Sequence, residues 1–365
     1  MGNLSTIPWE ACLLEPLHDP ALEAYARRAM GGPNPGVRYF ARSPWLVRAM
    51  VDWMPDNGLL VELDDRTADL IALIVSQENS CRYCYAAVRA MLRIQGMSEL
   101  RIDQLEQQLQ QLEVDPRLAA VARYSRALSH CNPPPDAAAV QRLREAGYGA
   151  VEIREIALSV VCSVMLNRVH TIAATPPGGF EQLPDQLLVR WLRPVIAWSM
   201  ERHRRQHRGH AEPAPPPISG PGAQLLAACG GSPLAPMLAR TLQDLWGSAL
   251  LDLRSRLLLF AVIARGLGCT AIEQEVAQKL GEAGEEAGLL PQVLAHLDAP
   301  ALTPLQRRLV GFARETIRYE PQRLQQHARQ LRAELSPEQF TEALGVLALA
   351  NGLCRLDMAL RQVDG

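Results

Sequence analysis

Cys81 and Cys84 stand three positions apart in SQENSCRYCYAAVRAML, residues 76–92, at the head of a stretch of helix formers. Such spacing puts both sulfurs on one side of the first turns of a helix. Asn79 and Ser80 are candidate N-caps, and Ala86, Ala87, Ala90, Met91 and Leu92 carry the helix on. The thiolate is the reactive form of cysteine, and the free N–H groups and positive dipole end of a helix N-terminus stabilise it. Arg82 adds positive charge between the two. This arrangement suits a reversible disulfide. Two other readings stand beside it: half of a structural zinc site, and two inert buried thiols. Zinc needs a second Cys pair or a Cys/His pair at ligand spacing. The sequence has no second C-x-x-C and no His in the turns that follow, so no metal is expected. A thioredoxin-type site needs a βαβ context, which the sequence also lacks.

The segments that must hold the pair read as helices. Leu70, Ile71, Ile74 and Val75 share one face of DDRTADLIALIVSQE, and Leu118, Val121, Ala122, Tyr124, Ser125 and Leu128 share one of PRLAAVARYSRALSH. Ile153, Ile156, Ala157, Val160, Val164 and Val169 do the same further on, and no train of alternating strands occurs. The fold class expected is all-α. A break falls at residues 200–222, MERHRRQHRGHAEPAPPPISGPG, first basic and His-rich, then Pro/Gly-rich. His203, His207 and His210 read as the solvated end of a helix entering a linker. The expected organisation is residues 1–199, a linker at 200–222, and residues 223–365.

The chain has 365 residues, 48% of them apolar and 21% charged, with a formal net charge of −2. That is ordinary for a soluble globular protein and gives no reason to expect nucleic acid or an anionic membrane as partner. No signal peptide is expected from MGNLSTIPWEACLLEPLHDP, and no apolar run is expected to reach the ~20 residues that span a bilayer. A cytoplasmic location is the default, with most of the eight cysteines as thiols.

The stretch LIALIVSQENSCRYCYAAV, with DPRLAAVARYSRAL, QRLREAGYGAVEIREIAL and MLNRVHTIAATP after it and RYFARSPWLVRAMVDWM before it, resembles the carboxymuconolactone decarboxylase / alkylhydroperoxidase D-like family, nearest its peroxidase-related branch. The resemblance covers about residues 35–177. It implies an all-helical fold, homo-oligomers (here a dimer or trimer) and no bound cofactor. It further implies reduction of a hydroperoxide or disulfide through Cys81 and Cys84, with re-reduction by a lipoyl- or thioredoxin-type thiol protein. Relatives usually assign the first attack to the second cysteine, here Cys84. Asp69 falls on the family's acidic position, and Tyr83 is typical between the cysteines. The family's proton-relay His is replaced by Val88, which carries no exchangeable proton. Glu78 and His170 are candidate substitutes. The family also holds a lactone decarboxylase branch that does not use the dithiol, so a non-redox enzyme or binding scaffold is the alternative.

The two sides of the break align at an offset of about 188 residues. Cys81 meets Cys269, Leu92 meets Leu280, Pro116 meets Pro304, and after a one-residue slip Arg168 meets Arg355. A common offset over more than a hundred residues is the mark of a duplicated unit. In the second copy Ile272 replaces Cys84, Leu257 replaces Asp69 and Val276 stands at the His position. Cys269 is therefore expected to lack both a partner and a base, and the second copy to be structural.

Overall fold

The computed structural model describes residues 9–32, 34–209, 218 and 220–364. His210 and the Pro run of residues 211–217 lie outside the described residues. Among the described residues the structure is helical, without strands, as expected. The helices are α1 (Pro20–Met30), α2 (Val37–Phe40), α3 (Pro44–Asp52), α4 (Asp65–Glu78), α5 (Arg82–Ile94), α6 (Glu99–Gln111), α7 (Pro116–His130), α8 (Ala137–Glu145) and α9 (Ala150–Ile172). They continue with α10 (Leu187–His207), α11 (Ala223–Ala228), α12 (Leu234–Gly247), α13 (Leu253–Leu267), α14 (Thr270–Glu282), α15 (Leu289–His296), α16 (Pro304–Arg318), α17 (Pro321–Glu334) and α18 (Pro337–Asp364). The chain expected as linker from residue 200 is helical as far as His207.

Local chemistry repeats between the halves. Asp64 caps α4 by accepting from the Thr67 N–H at 2.8 Å and the Thr67 hydroxyl at 2.7 Å. Asp252 caps α13 with the same two bonds to Ser255, at 2.8 and 2.7 Å. Helices α13, α14 and α16 each begin 188 residues after α4, α5 and α7. α4 ends in a reversal built on Ser80 at φ +48, with Ser80 N–H bonded to Gln77 O and Cys81 N–H to Ser76 O. α13 ends identically on Gly268 at φ +70, with Cys269 N–H bonded to Ala264 O. A serine in this left-handed conformation costs about 1 kcal/mol that a glycine does not.

The two longest helices, α9 and α18, pack on each other along their length and form the centre of the core. They are apolar nearly all round because neighbours cover every side. By length and composition α18 could cross a membrane, contrary to the expectation that no run qualifies. However, 94% of its apolar window is buried inside the fold, which makes it a core helix.

Other contacts tie the halves together. α3 lies on α12, where Trp53 Nε1 donates to Thr241 Oγ1 at 3.0 Å and Arg240 approaches Asp52 at 3.8 Å. Ser43 and Trp45 both donate to the Glu342 carboxylate on α18. Arg168 of α9 donates from Nε to Thr316 O in the last turn of α16, at 3.3 Å. Arg355 of α18 donates from Nε to Leu128 O and Ser129 O in the last turn of α7, at 3.1 and 3.3 Å. Both guanidinium groups are fully buried among carbonyls at the negative ends of helices, which explains how they are held without a carboxylate.

α10 departs from this burial. Leu187, Leu188, Trp191, Val195 and Trp198 are all more than half exposed and lie along one stripe of the helix.

Candidate active site

The reversal at Ser80 makes Cys81 itself the N-cap of α5, rather than Asn79 or Ser80. Asn79 instead accepts from the Ser129 hydroxyl at 3.2 Å. Cys81 Sγ accepts the Cys84 backbone N–H at 3.5 Å. Cys81 is buried and Cys84 is half-buried, and both are free thiols.

Burial pushes the Cys81 thiol up, but hydrogen bonds to its sulfur outweigh this and hold it below the ordinary thiol range. The neighbouring Cys84 thiol weighs most, then the Cys84 N–H at 3.5 Å, with the Thr171 side chain and the Tyr83 N–H also close by. Cys84 goes the other way: burial and then the hydrogen bond and charge of Cys81 raise it well above the ordinary value. The pair is therefore asymmetric, with Cys81 the more readily ionised sulfur and Cys84 the one that holds its proton more firmly.

The wall around the pair is aromatic and comes from both halves. Tyr83 stacks on His170 with centroids 3.8 Å apart and donates its hydroxyl to Asn34 Oδ1 at 2.9 Å. Gly36 leaves room for this stack, since a Cβ there would stand 2.3 Å from the Tyr83 hydroxyl oxygen. Tyr319, at the end of α16, donates to Asn167 O at 3.1 Å, and Gln325 of α17 donates to Thr171 O at 2.9 Å. Burial and the charge of Cys81 raise the Tyr319 phenol well above its ordinary value, keeping it a donor.

The remaining candidates are held elsewhere. Asp69 sits near the start of α4, about 14 Å of helix axis from Glu78. It is bound bidentately by the buried Arg204 of α10, at 2.9 and 3.1 Å, and by Gln95 at 3.0 Å. Glu78 accepts from Arg126 at 2.8 Å and lies 3.0 Å from His130 Nε2. Burial raises its carboxyl, but these two bonds prevail and leave it below the usual range, a poor base. His170 is buried beside the site, and burial lowers it to about 3, so it is neutral. Its ring is engaged with Tyr83 and Phe40, while Nδ1 has no hydrogen-bond partner. Val88 packs against the small apolar cluster of α4, α5 and α6.

A surface groove of about 470 Å³ lies between α14 and α15, lined in part by Arg265, Glu273 and Leu290, and touches neither Cys81 nor Cys84. Among the described residues no group of three or more His, Cys, Asp or Glu is placed to hold a metal. In the second half Ile272 is buried at the position matching Cys84, as the alignment places it. Cys269, however, does not lack neighbours: its Sγ donates to Asp357 Oδ2 at 3.2 Å, and the Cys354 thiol is beside it. Both partners come from α18, more than 80 residues away, beyond the reach of a local spacing motif.

Residues 56–127, running from before α4 into α7 and including both cysteines, match the family model for the carboxymuconolactone decarboxylase family. The match covers about a fifth of the chain, α4 to α6 and most of α7. No curated protein and no solved structure matches the chain. Thr171, Tyr319 and Gln325 were not singled out as site residues by sequence, although the alignment of the halves places Tyr319 opposite Cys131.

Proposed function

We propose that this chain is a thiol-dependent oxidoreductase that reduces hydroperoxides, or small disulfides, through Cys81 and Cys84. The observation that carries the reading is the opposed pair at the N-cap of α5, a sulfur supplied with donors beside a sulfur that keeps its proton. The Cys81 thiolate attacks a peroxide oxygen. An S–O bond forms, the O–O bond breaks, and the departing alkoxide takes the proton of Cys84. Cys84, now a thiolate, attacks the Cys81 sulfenic acid and displaces hydroxide, which is protonated to water. Cys84 thus supplies the proton that the family's His, replaced here by Val88, would relay. This order reverses the assignment that the resemblance implies.

An external dithiol restores the pair by attacking the more accessible Cys84 sulfur and expelling Cys81, the better leaving group. A lipoyl- or thioredoxin-type protein supplies it, in a reducing compartment such as the cytoplasm. The matching caps, reversals and helix starts of the two halves support a duplicated unit. The apolar stripe of α10 is the surface that a homo-oligomer would bury.

Hydroperoxide consumption with dithiothreitol as reductant tests the reading. Wild-type protein is expected to turn over, to lose two thiols per peroxide, and to be inactivated by Cys81→Ser. Consumption equal to that of Cys81→Ser, with both thiols still free, overturns it. Val88 and the capture of Asp69 by Arg204 favour, in that event, a non-redox enzyme or scaffold.

A further inference from the structure

We propose that Cys269 and Cys354 form a second peroxide-oxidisable cysteine pair, closing as a disulfide between the N-terminus of α14 and the core helix α18. The proposal is independent of the reading of Cys81 and Cys84. Cys269 caps α14 at the position matching Cys81, but its sulfur accepts no backbone N–H there. It turns to α18 instead. Cys354 and Asp357 are three residues apart, on neighbouring turns of one face. The Cys269 thiol donates to Asp357 Oδ2 at 3.2 Å, and the buried Cys354 thiol is the Cys269 sulfur's neighbour from the same helix face. Asp357 is itself fixed by Arg361 at 3.0 Å. A nucleophile, a base and a resolving thiol are thereby assembled from two helices, with no C-x-x-C motif.

The chemistry balances with hydrogen peroxide as oxidant, a molecule small and neutral enough for a site near the surface. Cys269 is 4% exposed, and the residues on either side of it, Gly268 and Thr270, are open to solvent. Asp357 takes the Cys269 proton as the sulfur attacks. The S–O bond forms, the O–O bond breaks, and the departing hydroxide takes that proton to become water. Cys354 then attacks the Cys269 sulfenic acid, the S–S bond forms, and the second hydroxide leaves as water with the proton of Cys354. Two thiols are oxidised by two electrons, and one peroxide becomes two waters. Burial and the neighbouring Cys269 hold the Cys354 thiol well above its ordinary value, and the Cys269 sulfur accepts no cap N–H as the Cys81 sulfur does. The second pair is therefore expected to close more slowly than the first, as a sensor rather than a turnover site.

The test is peptide mapping after hydrogen peroxide, alkylation of free thiols and tryptic digestion without reductant. Residues 266–279 and 333–355 are the tryptic peptides that carry the two cysteines. The expected product is these two peptides joined, in wild type and equally in a Cys81→Ser/Cys84→Ser background. Cys354→Ser is expected to abolish the bridge and leave Cys269 as a sulfenic acid that dimedone captures. Asp357→Asn is expected to slow bridging by about tenfold or more. Circular dichroism checks that each variant is folded. Both thiols remaining alkylatable in folded wild-type protein at millimolar peroxide overturns the proposal. So does pairing of Cys354 with any other cysteine.

Discussion

Arg168 and Arg355 exchange places between the halves: each leaves its own long helix to bond the last turn of the other half's α16 or α7. They differ in how well they are satisfied. Arg355 reaches Leu128 O, Ser129 O, Asn351 O and Asn351 Oδ1, all within 3.3 Å, whereas Arg168 has two longer bonds, at 3.3 and 3.5 Å. Burial, then the charge of Arg355, lowers Arg168 well below the ordinary guanidinium value, so its charge is costly to hold. Arg355→Met is expected to cost about 2–4 kcal/mol, and Arg168→Met about 1 kcal/mol or less. Urea midpoints at unchanged slope decide it, and the reverse ranking would contradict the helix-end account.

The two cysteines should titrate apart. With Cys84→Ser, alkylation of Cys81 by iodoacetamide is expected to rise with pH through an inflection below the ordinary thiol range, about 8.5. With Cys81→Ser, the inflection for Cys84 is expected above it, because burial persists when its partner is removed. Equal inflections would show that the asymmetry does not exist in solution.

His170 makes the fold acid-sensitive. Its folded-state value is lowered to about 3, while the unfolded chain takes a proton near 6.5. Its contribution is therefore fully present above about pH 6.5 and is lost as pH falls toward 3, amounting to about 2 kcal/mol by pH 5. His170→Phe keeps an aromatic ring against Tyr83 and is expected to flatten the urea midpoint between pH 7 and pH 5. An unchanged slope would place the acid sensitivity elsewhere.

Asp69 is predicted to act on stability and not on the sulfurs. Asp69→Ala removes the bidentate carboxylate bound to the buried Arg204 and is expected to cost about 2–3 kcal/mol, whereas the Cys81 alkylation profile stays in place. Glu78→Gln is likewise expected to leave that profile unmoved. A downward shift of cysteine reactivity with either change, in folded protein, would return that carboxylate to the site.

Gly36→Ala places a methyl group 2.3 Å from the Tyr83 hydroxyl oxygen and 3.0 Å from His170 Cε1. Tyr83 would have to leave Asn34, at an expected cost of about 1–3 kcal/mol. Because Tyr83 lies between the cysteines, the Cys81 inflection is expected to move as well. A loss of stability with no such movement would uncouple the stack from the pair.

Much of this is legible in the residues alone. The apolar periodicity of α4, α7 and α9 foretold helices, and Cys81-x-x-Cys84 foretold a helix N-terminus. The offset of 188 located Cys269 at the start of α14, and the same offset with a one-residue slip located Arg355 on α18. What stayed hidden depends on how helices cross. Thr171 meets Cys81 only because α9 passes behind α5, and Tyr319 joins the wall only because the second half folds back. Asp69 stands at the family's acidic position, but its carboxylate is bound by Arg204, which comes from a stretch whose composition reads as linker. Cys354 was invisible as a partner for Cys269 because nothing in local spacing connects α14 with α18.

The burial of α9 and α18 against each other has a thermodynamic consequence. Each half would present, on its own, a helix greasy on the side its sibling now covers, with Arg168 or Arg355 pointing at carbonyls no longer there. Neither half is therefore expected to melt while the other stands. Calorimetry of the whole chain should give one endotherm whose van't Hoff and calorimetric enthalpies agree, and a cut near residue 209 should yield fragments that re-associate rather than two independent folders.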